Sequence, residues 1–380
     1  MDFNFTEEQQ LLADTVKRFV REDYPFEKRR QIVASPDGWS REVWAKLAEL
    51  GLTALNVPEA HGGLNAGPVD TMLVMNALGE GLVVEPYLGA AVLAPALISR
   101  SADEKTAGEL FEGLVAGERI TIVAHQEPAS RGDVQYVETR AEKSGDGYVL
   151  DGHKAVVVHG GAADELLVTA RTSGQPRDRD GVSVFRVDPK AAGVTINSYK
   201  TFDGLRAADI ELKGVKVSAD RRLGPEGGAF DAIEAAHDIA LSALCAEAVG
   251  IMKAVNAATL DYTKNRKQFG QPIAKFQVLQ HRMVDMFIHS EQALSMSYLA
   301  AIKCVDPDPV ERRRALSAAK VVIGQAARFV GQQAIQLHGG MGMTDELMVS
   351  HHFKRLTAID LSFGDTDFHL QKFIAVSQTA

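Results

Sequence analysis

The chain has 380 residues, of which 46% are hydrophobic and only 7% aromatic, and its formal net charge is −9 at pH 7. This negative balance disfavours general binding to nucleic acids or to anionic membranes. The two cysteines, Cys245 and Cys304, lie in apolar helical patterns without metal-ligand spacing or a disulfide framework. We therefore expect a reducing compartment and no metal site.

The start of the chain and its apolar segments carry no export or membrane signal. The first residues, MDFNFTEEQQLL, lack the basic region and apolar run of a signal peptide. No stretch approaches the roughly 18 continuous apolar residues of a membrane span. These features predict a soluble, cytoplasmic protein that binds neither a membrane nor nucleic acid.

Residues 1–118 have the pattern of a helical domain. Thr6 followed by Gln9 predicts a capping box, and the apolar residues after it recur at helical spacing. Ser40 is a candidate N-cap of a further helix, which Gly51 would end.

Between residues 119 and 225 the hydrophobic period changes. Short segments rich in Val, Ile, Tyr and Thr are separated by Gly, Asp or Pro, among them VQYVETRAE and GYVLDGHKAVVVHG. Gly145-Asp146-Gly147 is a typical turn between two such segments. The zone predicts a small antiparallel β domain.

The rest of the chain, residues 226–380, returns to a helical pattern. The periodicity predicts three long helices, which are one of about 40 residues ending near Arg266, one over 273–304 and, after a break at Pro307 and Pro309, one over 311–337. Alanine-rich faces and short connections favour an antiparallel bundle. The predicted fold class is therefore α+β, with an N-terminal helical domain, a middle β domain and a C-terminal helical bundle.

The end of the longest helix carries the sequence Arg266-Lys267-Gln268-Phe269-Gly270. A guanidinium fork matches two phosphate oxygens, an aromatic face covers an adenine well, and a glycine lets the backbone come close to a ligand. The simpler interpretation is a basic helix end that compensates the helix dipole, with Phe269 as a hydrophobic cap.

This pattern, together with the order of helical, β and helical zones, resembles the acyl-CoA dehydrogenase family along the whole chain. In that family an R-x-x-F-G sequence ends a long helix. Its arginine pairs with the pyrophosphate of FAD, and its phenylalanine packs beside the adenosine half. The resemblance assigns these roles to Arg266 and Phe269, adds Gln277 shortly after them as a cofactor contact, and implies FAD as the cofactor.

A second match is Gln336-Leu337-His338-Gly339-Gly340, which resembles the family's Q-x-x-G-G turn. There, the glutamine and the glycine amides contact the same ADP moiety from the neighbouring subunit, a role that the resemblance gives to Gln336, Gly339 and Gly340. Successive N–H groups form a concave donor site for an anion, although a helix-ending Gly-Gly is also an ordinary C-cap. No G-x-G-x-x-G follows a strand, so a nicotinamide-binding Rossmann fold is not expected.

Two weaker matches lie in the β zone. His125-Gln126-Glu127-Pro128 takes the place of the family's T-E-P loop, and Gly152–Gly161 takes the place of its G-x-K-x-W-I-T-N-G strand. The resemblance therefore places Gln126 and Val158 at the flavin. Val156 replaces an aromatic residue that covers one flavin face, and Val158 replaces a hydroxyl that hydrogen-bonds the reactive edge of the ring.

The family's reaction removes the proton α to a thioester and needs a desolvated carboxylate as base. The commonest position of that glutamate is in a Y-E-G-T stretch, which aligns with Phe363-Gly364-Asp365-Thr366 and puts Gly364 at the glutamate and Thr366 at the cofactor. The other position, on the long helix, falls at Ala240, with Leu241 in place of an arginine. Asp365 is the nearby carboxylate, either a displaced base or the N-cap of the final helix.

The retained residues are those that bind the ADP half of FAD, and the missing ones hold the flavin ring and remove the proton. This division resembles the small subunits of two-chain bacterial members of the family, of the pimeloyl-CoA dehydrogenase type. It implies a subunit that completes an FAD site in trans with a homologous large subunit, acts on an acyl-CoA substrate and passes electrons to an electron-transfer flavoprotein.

Three alternatives remain at this stage. The first is a self-sufficient homotetramer that uses Asp365 as base, and the second is a scaffold that binds no FAD. The third is a flavin-dependent hydroxylase or nitroalkane oxidase on the same fold. The acyl group, whether a fatty chain or a steroid side chain, is not specified by any motif.

Overall fold

The N-terminal part of the fold is a bundle of short helices in which the predicted caps are present. The computed structural model describes residues 4–379. The helices here are α1 Glu7–Glu22, α2 Phe26–Ala34, α3 Arg41–Glu49, α4 Pro68–Glu80, a π-helical segment Tyr87–Leu93, α5 Ala94–Ser101 and α6 Glu104–Val115. The Thr6 hydroxyl accepts from the Gln9 amide and the Gln9 side chain accepts from the Thr6 amide, both at 3.2 Å, which confirms the capping box. Ser40 caps α3 by accepting from the Val43 amide at 3.3 Å.

A buried carboxyl makes the stability of this bundle depend on pH. Glu85 is 4% exposed, and burial raises its pKa to about 7. The folded state therefore keeps this proton to a higher pH than the unfolded chain does. It follows that the free energy of unfolding falls as the pH rises from about 4.5 to about 7 and then levels off.

We expect Glu85→Gln to remove this fall, because the neutral amide never has to be ionised inside the core. The variant should be more stable than the original protein by roughly 2 kcal/mol at pH 8 and about equal to it near pH 4. Urea denaturation at the two pH values measures the difference, with the exposed Glu112→Gln as control. Equal effects of the two substitutions at pH 8 would show that burial of Glu85 is not the cause.

The middle of the chain forms an eight-stranded sheet in the order β6-β7-β3-β2-β4-β5-β8, with β1 paired to β4. The strands are β1 Thr121–Ala124, β2 Arg140–Ser144, β3 Gly147–Val158, β4 Glu165–Arg171, β5 Val182–Val187, β6 Val194–Lys200, β7 Arg206–Ser218 and β8 Arg222–Leu223. Gly145 and Asp146 form the predicted turn, since Ser144 pairs with Gly147 across it.

The predicted sheet was antiparallel, whereas the observed sheet is mixed, because some of its strands pair in parallel. β1 runs parallel to β4, from Thr121 opposite Glu165 to Ala124 opposite Val168. The β2–β3 hairpin and its flanking loops lie between these two strands in the chain, and such a long connection allows parallel pairing.

The predicted strand VQYVETRAE is also shorter than its pattern suggests. Only the part from Arg140 onward pairs as a strand. The backbone amides of Glu138 and Thr139 donate instead to the Glu127 carboxylate, at 2.7 and 3.0 Å. These two amides donate to a side chain and not to a neighbouring strand, so the strand begins only after them.

The C-terminal part is the predicted helical bundle, with shifted helix starts. It contains α7 Phe230–Asn265, a small hairpin of β9 Lys267–Gln268 and β10 Gln271–Pro272, then α8 Gln277–Lys303, α9 Pro309–His338, α10 Met348–Leu361 and α11 Thr366–Thr379. α8 starts later than predicted because the hairpin and a 3₁₀ turn precede it. α9 begins at Pro309, where a missing amide hydrogen costs nothing, and Asp308 caps it by accepting from the Val310 amide at 2.8 Å.

Buried arginines fix the three parts relative to one another. Arg355 on α10 donates to both carboxylate oxygens of Glu247 on α7, at 2.6 and 2.8 Å, and to Asp203 before β7 at 2.9 Å. Arg29 on α2 donates to the Asp203 carbonyl at 3.2 Å and to the Leu82 carbonyl at 2.9 Å. The loops at the junction of the three parts are therefore held in place by charged side chains. In the described part of the chain, no helix is both long enough and apolar enough to cross a membrane.

Candidate functional site

The first predicted cofactor motif lies on the surface at the end of α7. Arg266 is the C-cap of this helix and is exposed, and its guanidinium makes no hydrogen bond or ion pair with the other described residues. Phe269, in the β9–β10 turn, has a φ of 53° and is 89% exposed. A bulky residue held at positive φ and left in solvent is unusual, which indicates that a ligand or another chain covers it.

The second motif lies beside the first. Tyr262, one turn before Arg266, stacks on His338 with ring centroids 4.4 Å apart and donates to the His338 carbonyl at 3.3 Å. Gly339 and Gly340 follow directly, both exposed, and a Cβ on either would meet no atom within 4 Å. Gln336, on the last turn of α9, and Gln277, the first residue of α8, are exposed as well.

These groups suit the pyrophosphate and adenine of FAD. The free guanidinium supplies a charged donor, and the open glycine backbone lets an anion reach the amides. The exposed phenylalanine supplies an aromatic face. All of them are exposed, so they are accessible to a bound FAD.

The part of the β domain that the resemblance places at the flavin is exposed, and one of its residues has a strained backbone. Val156 has a φ of 52° at a bulge in β3, is 44% exposed, and donates its amide to Asp209 Oδ1 at 3.0 Å. Val158 is 42% exposed. Gln126 is exposed, and its carbonyl accepts from the Ala155 amide at 2.8 Å, which joins the loop to the strand. The loop and the strand of this surface are therefore present, while valines stand where the resemblance places an aromatic residue and a hydroxyl group.

A buried ion pair supports the loop that carries Gln126. Lys154 Nζ lies 2.6 Å from Glu127 Oε1, and the side chains are 0% and 3% exposed. Burial would raise the pKa of Glu127, but the Lys154 ammonium and the hydrogen bonds from Lys154 and Thr139 outweigh burial and hold that pKa below its usual value. Burial lowers the pKa of Lys154, and Glu127 opposes it. The sequence matches include both Lys154 and Glu127, but nothing in the sequence predicts that they form an ion pair.

The loop between α10 and α11 leaves no space for a side chain at Gly364. Its φ is 92°, and a Cβ there would lie 2.3 Å from Phe368 Cδ1 and 3.1 Å from His369 Nε2. From the other side, a Cβ on Gly132 of the β domain would lie 2.7 Å from the Gly364 Cα. The position that the resemblance gives to the catalytic glutamate is therefore filled by neighbouring atoms.

Buried polar groups hold this loop from below. Lys320, 0% exposed on α9, donates to the carbonyls of Asp360 and Gly364, both at 2.7 Å. The Thr366 hydroxyl donates to Asp360 Oδ1 at 2.6 Å, so this predicted cofactor contact is already engaged within the chain. Nothing in the sequence indicates the contact between Lys320 and Asp360, because one lysine and one aspartate in helical patterns carry no signal of it.

Asp365 has the geometry of a helix cap. It is exposed, its Oδ1 accepts from the Phe368 amide at 2.8 Å, and its carbonyl accepts from the His369 amide at 3.0 Å. This arrangement favours the N-cap interpretation of α11. A base role for Asp365 remains a prediction.

The space beside the second candidate base position is small. Ala240 is buried on α7, and Asp238, two residues before it, accepts at its Oδ2 from Arg312 Nε at 2.6 Å. The cavity between α7, α9, α11 and Phe363 has a volume of about 40 Å³. Ligand pockets generally need about 300 Å³ or more, so this cavity does not hold an acyl chain. Over residues 4–379, no group of three His, Cys, Asp or Glu side chains is placed to bind a metal.

Comparisons with known proteins agree with this architecture. The chain matches the acyl-CoA dehydrogenase N-terminal, middle and C-terminal domains over residues 6–118, 123–215 and 232–376. A probable acyl-CoA dehydrogenase of Bacillus subtilis, YngJ, is 28% identical over 383 residues, which cover 100% of this chain and 99% of that protein. The short-chain specific acyl-CoA dehydrogenase of Megasphaera elsdenii is 28% identical and covers 97% of this chain and 98% of its own length.

Among solved structures, the ChsE4-ChsE5 complex from Mycobacterium tuberculosis superimposes with a TM-score of 0.89 and 26% identity, covering 100% of both chains. The predicted fold class of helical, β and helical domains is confirmed by these matches. The chain therefore belongs to the acyl-CoA dehydrogenase family, whose members are FAD-dependent oxidoreductases that dehydrogenate acyl-CoA at a CH–CH bond.

Proposed function

We propose that this chain is the cytoplasmic, partner-dependent subunit of a heteromeric acyl-CoA dehydrogenase and completes an FAD site in trans. The observation that carries the proposal is the packing at Gly364. A chain that had only lost its base would leave an empty space there, whereas a Cβ at Gly364 would meet the side chains of Phe368 and His369. The chain's own acyl site is then closed, while its ADP-binding surface is open.

The partner in this proposal is a homologous, larger acyl-CoA dehydrogenase chain that holds the flavin ring, the acyl-CoA and the base. In this arrangement, FAD would supply the acceptor for the hydride that leaves the β carbon of the acyl group. Arg266 of this chain would hold the pyrophosphate, Phe269 would cover the adenine, and the amides of Gly339 and Gly340 would approach the phosphates. An electron-transfer flavoprotein is the proposed electron acceptor.

An apolar surface next to the ADP-binding residues supports contact with a partner. Val284, Phe287 and Ile288 on α8 are 53%, 58% and 46% exposed, and their i, i+3, i+4 spacing puts them on one face of the helix. Large exposed hydrophobic side chains concentrated on one face are typical of protein interfaces. The ChsE4-ChsE5 structure, which is a complex of two chains, offers a precedent within the family.

The flavin content of the purified protein tests the proposal. Expressed alone with FAD supplied, the chain should retain little flavin, and co-expression with the partner should give about one FAD per pair of chains. One FAD per chain in the absence of any partner would contradict the proposal and would favour a self-sufficient homotetramer. No FAD even in the complex would favour the scaffold alternative.

Arg266→Ala should weaken FAD retention by the reconstituted complex about tenfold to a hundredfold, because the pyrophosphate loses charge-assisted hydrogen bonds. FAD release during gel filtration, followed by absorbance, measures the effect. Lys264→Ala is the matched control, since Lys264 is an exposed cation at the same helix end. Equal flavin retention by the two variants would remove Arg266 from the binding site.

Asp365→Asn should leave the turnover of the mixed complex within about twofold of the original, because asparagine caps a helix as well as aspartate does. Steady-state acyl-CoA oxidation with a saturating electron acceptor gives the answer. A loss of about a thousandfold, the size expected when a general base is removed, would make Asp365 the catalyst. Asp365→Ala controls for the cap and should lower stability by about 1 kcal/mol.

A further inference from the structure

The small cavity beside the closed loop has a positively charged lining. Arg313 on α9 and Lys372 on α11 contribute to its wall, together with His237, Ser317 and His369. Among the described residues, no carboxylate lies within ion-pair distance of Arg313 or Lys372. Lys372 Nζ instead lies 5.0 Å from the centroid of the Phe368 ring.

One carboxylate does line the cavity, but its charge is already compensated. Asp238 Oδ2 accepts from Arg312 Nε at 2.6 Å, and both side chains are mostly buried. With Arg312 and Asp238 cancelling each other, Arg313 and Lys372 leave the cavity with an excess of positive charge. A confined space with uncompensated cations attracts an anion.

The histidines supply neutral hydrogen-bonding groups to the same space. His237 Nε2 is buried and has no hydrogen-bond partner among the described residues, and the ring touches His125 and Phe363 at centroid distances of 4.8 and 5.3 Å. Burial lowers the pKa of His237 to about 4, so the ring is neutral near pH 7. His369 Nε2 bonds the Phe363 carbonyl at 2.9 Å, which fixes this ring at the cavity edge.

We propose that this cavity is a binding site for one small monovalent anion, of the size of a halide or a carboxylate group. Arg313 and Lys372 supply the charge, and the unpartnered Nε2 of His237 supplies a hydrogen-bond donor. The volume of about 40 Å³ suits an ion of this size and excludes a thioester chain. The inference rests on the proposed function in one respect, namely that this chain's own acyl site is not in use.

A second cavity of about 380 Å³ in the β domain does not have this character. It is lined by charged groups that already have partners. Lys143 Nζ lies 2.9 Å from Glu226, and the Arg171 guanidinium donates to the carbonyls of Val137, Ser173, Asp180, Pro176 and Asp178. The wall of the second cavity also contains the carboxylates of Glu142 and Glu226. In the small cavity, Arg313 donates through its Nε to the Pro309 carbonyl at 2.9 Å, but neither Arg313 nor Lys372 has a carboxylate partner among the described residues, and this absence of a counter-charge distinguishes the small cavity.

Bromide is the probe for locating the anion. Crystals of the full-length protein, with its partner chain where the two copurify, are soaked in sodium bromide and measured at the bromine edge. We expect an anomalous peak in the cavity within hydrogen-bond distance of His237 Nε2 or Lys372 Nζ. No peak there, with peaks at other sites on the same protein, would overturn the proposal.

Affinity in solution is measured from the chloride NMR line width, with acetate as competitor. Lys372→Met should weaken chloride binding at this site about tenfold or more, and acetate should displace the ion from the original protein. The matched control Lys105→Met, an exposed lysine on α6, should change nothing. Equal line widths for Lys372→Met and the original protein would overturn the proposal.

The two proposals fail separately. If the cavity holds no anion, but the lone chain retains little flavin and the complex holds about one FAD per pair of chains, only the anion site is wrong. If the anion binds but the lone chain retains one FAD, the proposed division of labour between two chains is wrong and the anion site remains.

Discussion

Gly364→Glu is expected to destabilise the chain by about 3 kcal/mol or more and to give it no dehydrogenase activity. The substitution restores the residue type that the family most often uses as base at this position. Here, however, a Cβ would lie 2.3 Å from Phe368 Cδ1, and the φ of 92° is one that only glycine adopts readily. Thermal denaturation and acyl-CoA oxidation by the chain alone measure the two effects.

A matched pair of alanine substitutions separates packing from backbone strain. Gly145 also has a positive φ, 62°, but a Cβ there meets nothing within 4 Å. Gly145→Ala should therefore cost only the strain, about 1 kcal/mol, and Gly364→Ala should cost clearly more. If Gly364→Glu folded with unchanged stability and oxidised an acyl-CoA without a partner, the closed-site interpretation would have to be abandoned.

Much of the fold could be predicted because its signals are local. The Thr6 capping box, the Ser40 cap and the turn at Gly145 each depend on residues within a few positions of one another, and each is present in the structure. The parallel pairing of β1 with β4 has no local signal, because it depends on where a long connection returns to the sheet. The same limit explains the shortened strand before Arg140, where a distant carboxylate had taken the backbone donors.

In the candidate site too, features with a local sequence signal could be predicted and contacts between distant residues could not. Arg266, Phe269 and the Gly339-Gly340 pair form compact motifs, so the sequence could point to them as predicted ADP contacts, and the structure shows that they are exposed. The resemblance predicts that the usual base is missing at Gly364, but no local pattern predicts how closely other atoms approach that position. This close approach depends on Gly132 and Phe368 both reaching Gly364, from a different domain and from the next helix. Contacts across the fold of this kind leave no pattern in a single sequence.

Lys154→Met should lower the free energy of unfolding by about 3–5 kcal/mol, the usual cost of leaving a buried charge without its partner. Lys154 is 0% exposed and donates to Glu127 Oε1 at 2.6 Å, to the His125 carbonyl at 3.3 Å and to Thr169 at 3.2 Å. Without the ammonium, Glu127 keeps its amide and hydroxyl donors but not its counter-charge. Urea denaturation at pH 7 measures the loss.

The pH dependence and a double substitution identify the ion pair as the cause. The pKa of Glu127 is held below its usual value in the folded state. The contribution of Glu127 to the free energy of unfolding is therefore complete above the unfolded-state pKa of about 4.3, and it is lost as the pH falls through the lower, folded-state pKa.

Lys154→Met should remove this acid-dependent loss. Lys154→Met combined with Glu127→Gln should be more stable than Lys154→Met alone, because no charge is left buried. A cost below about 1 kcal/mol for Lys154→Met would mean that solvent reaches the pair. The loop that carries Gln126 would then be supported by its backbone bond to Ala155 and not by this buried charge.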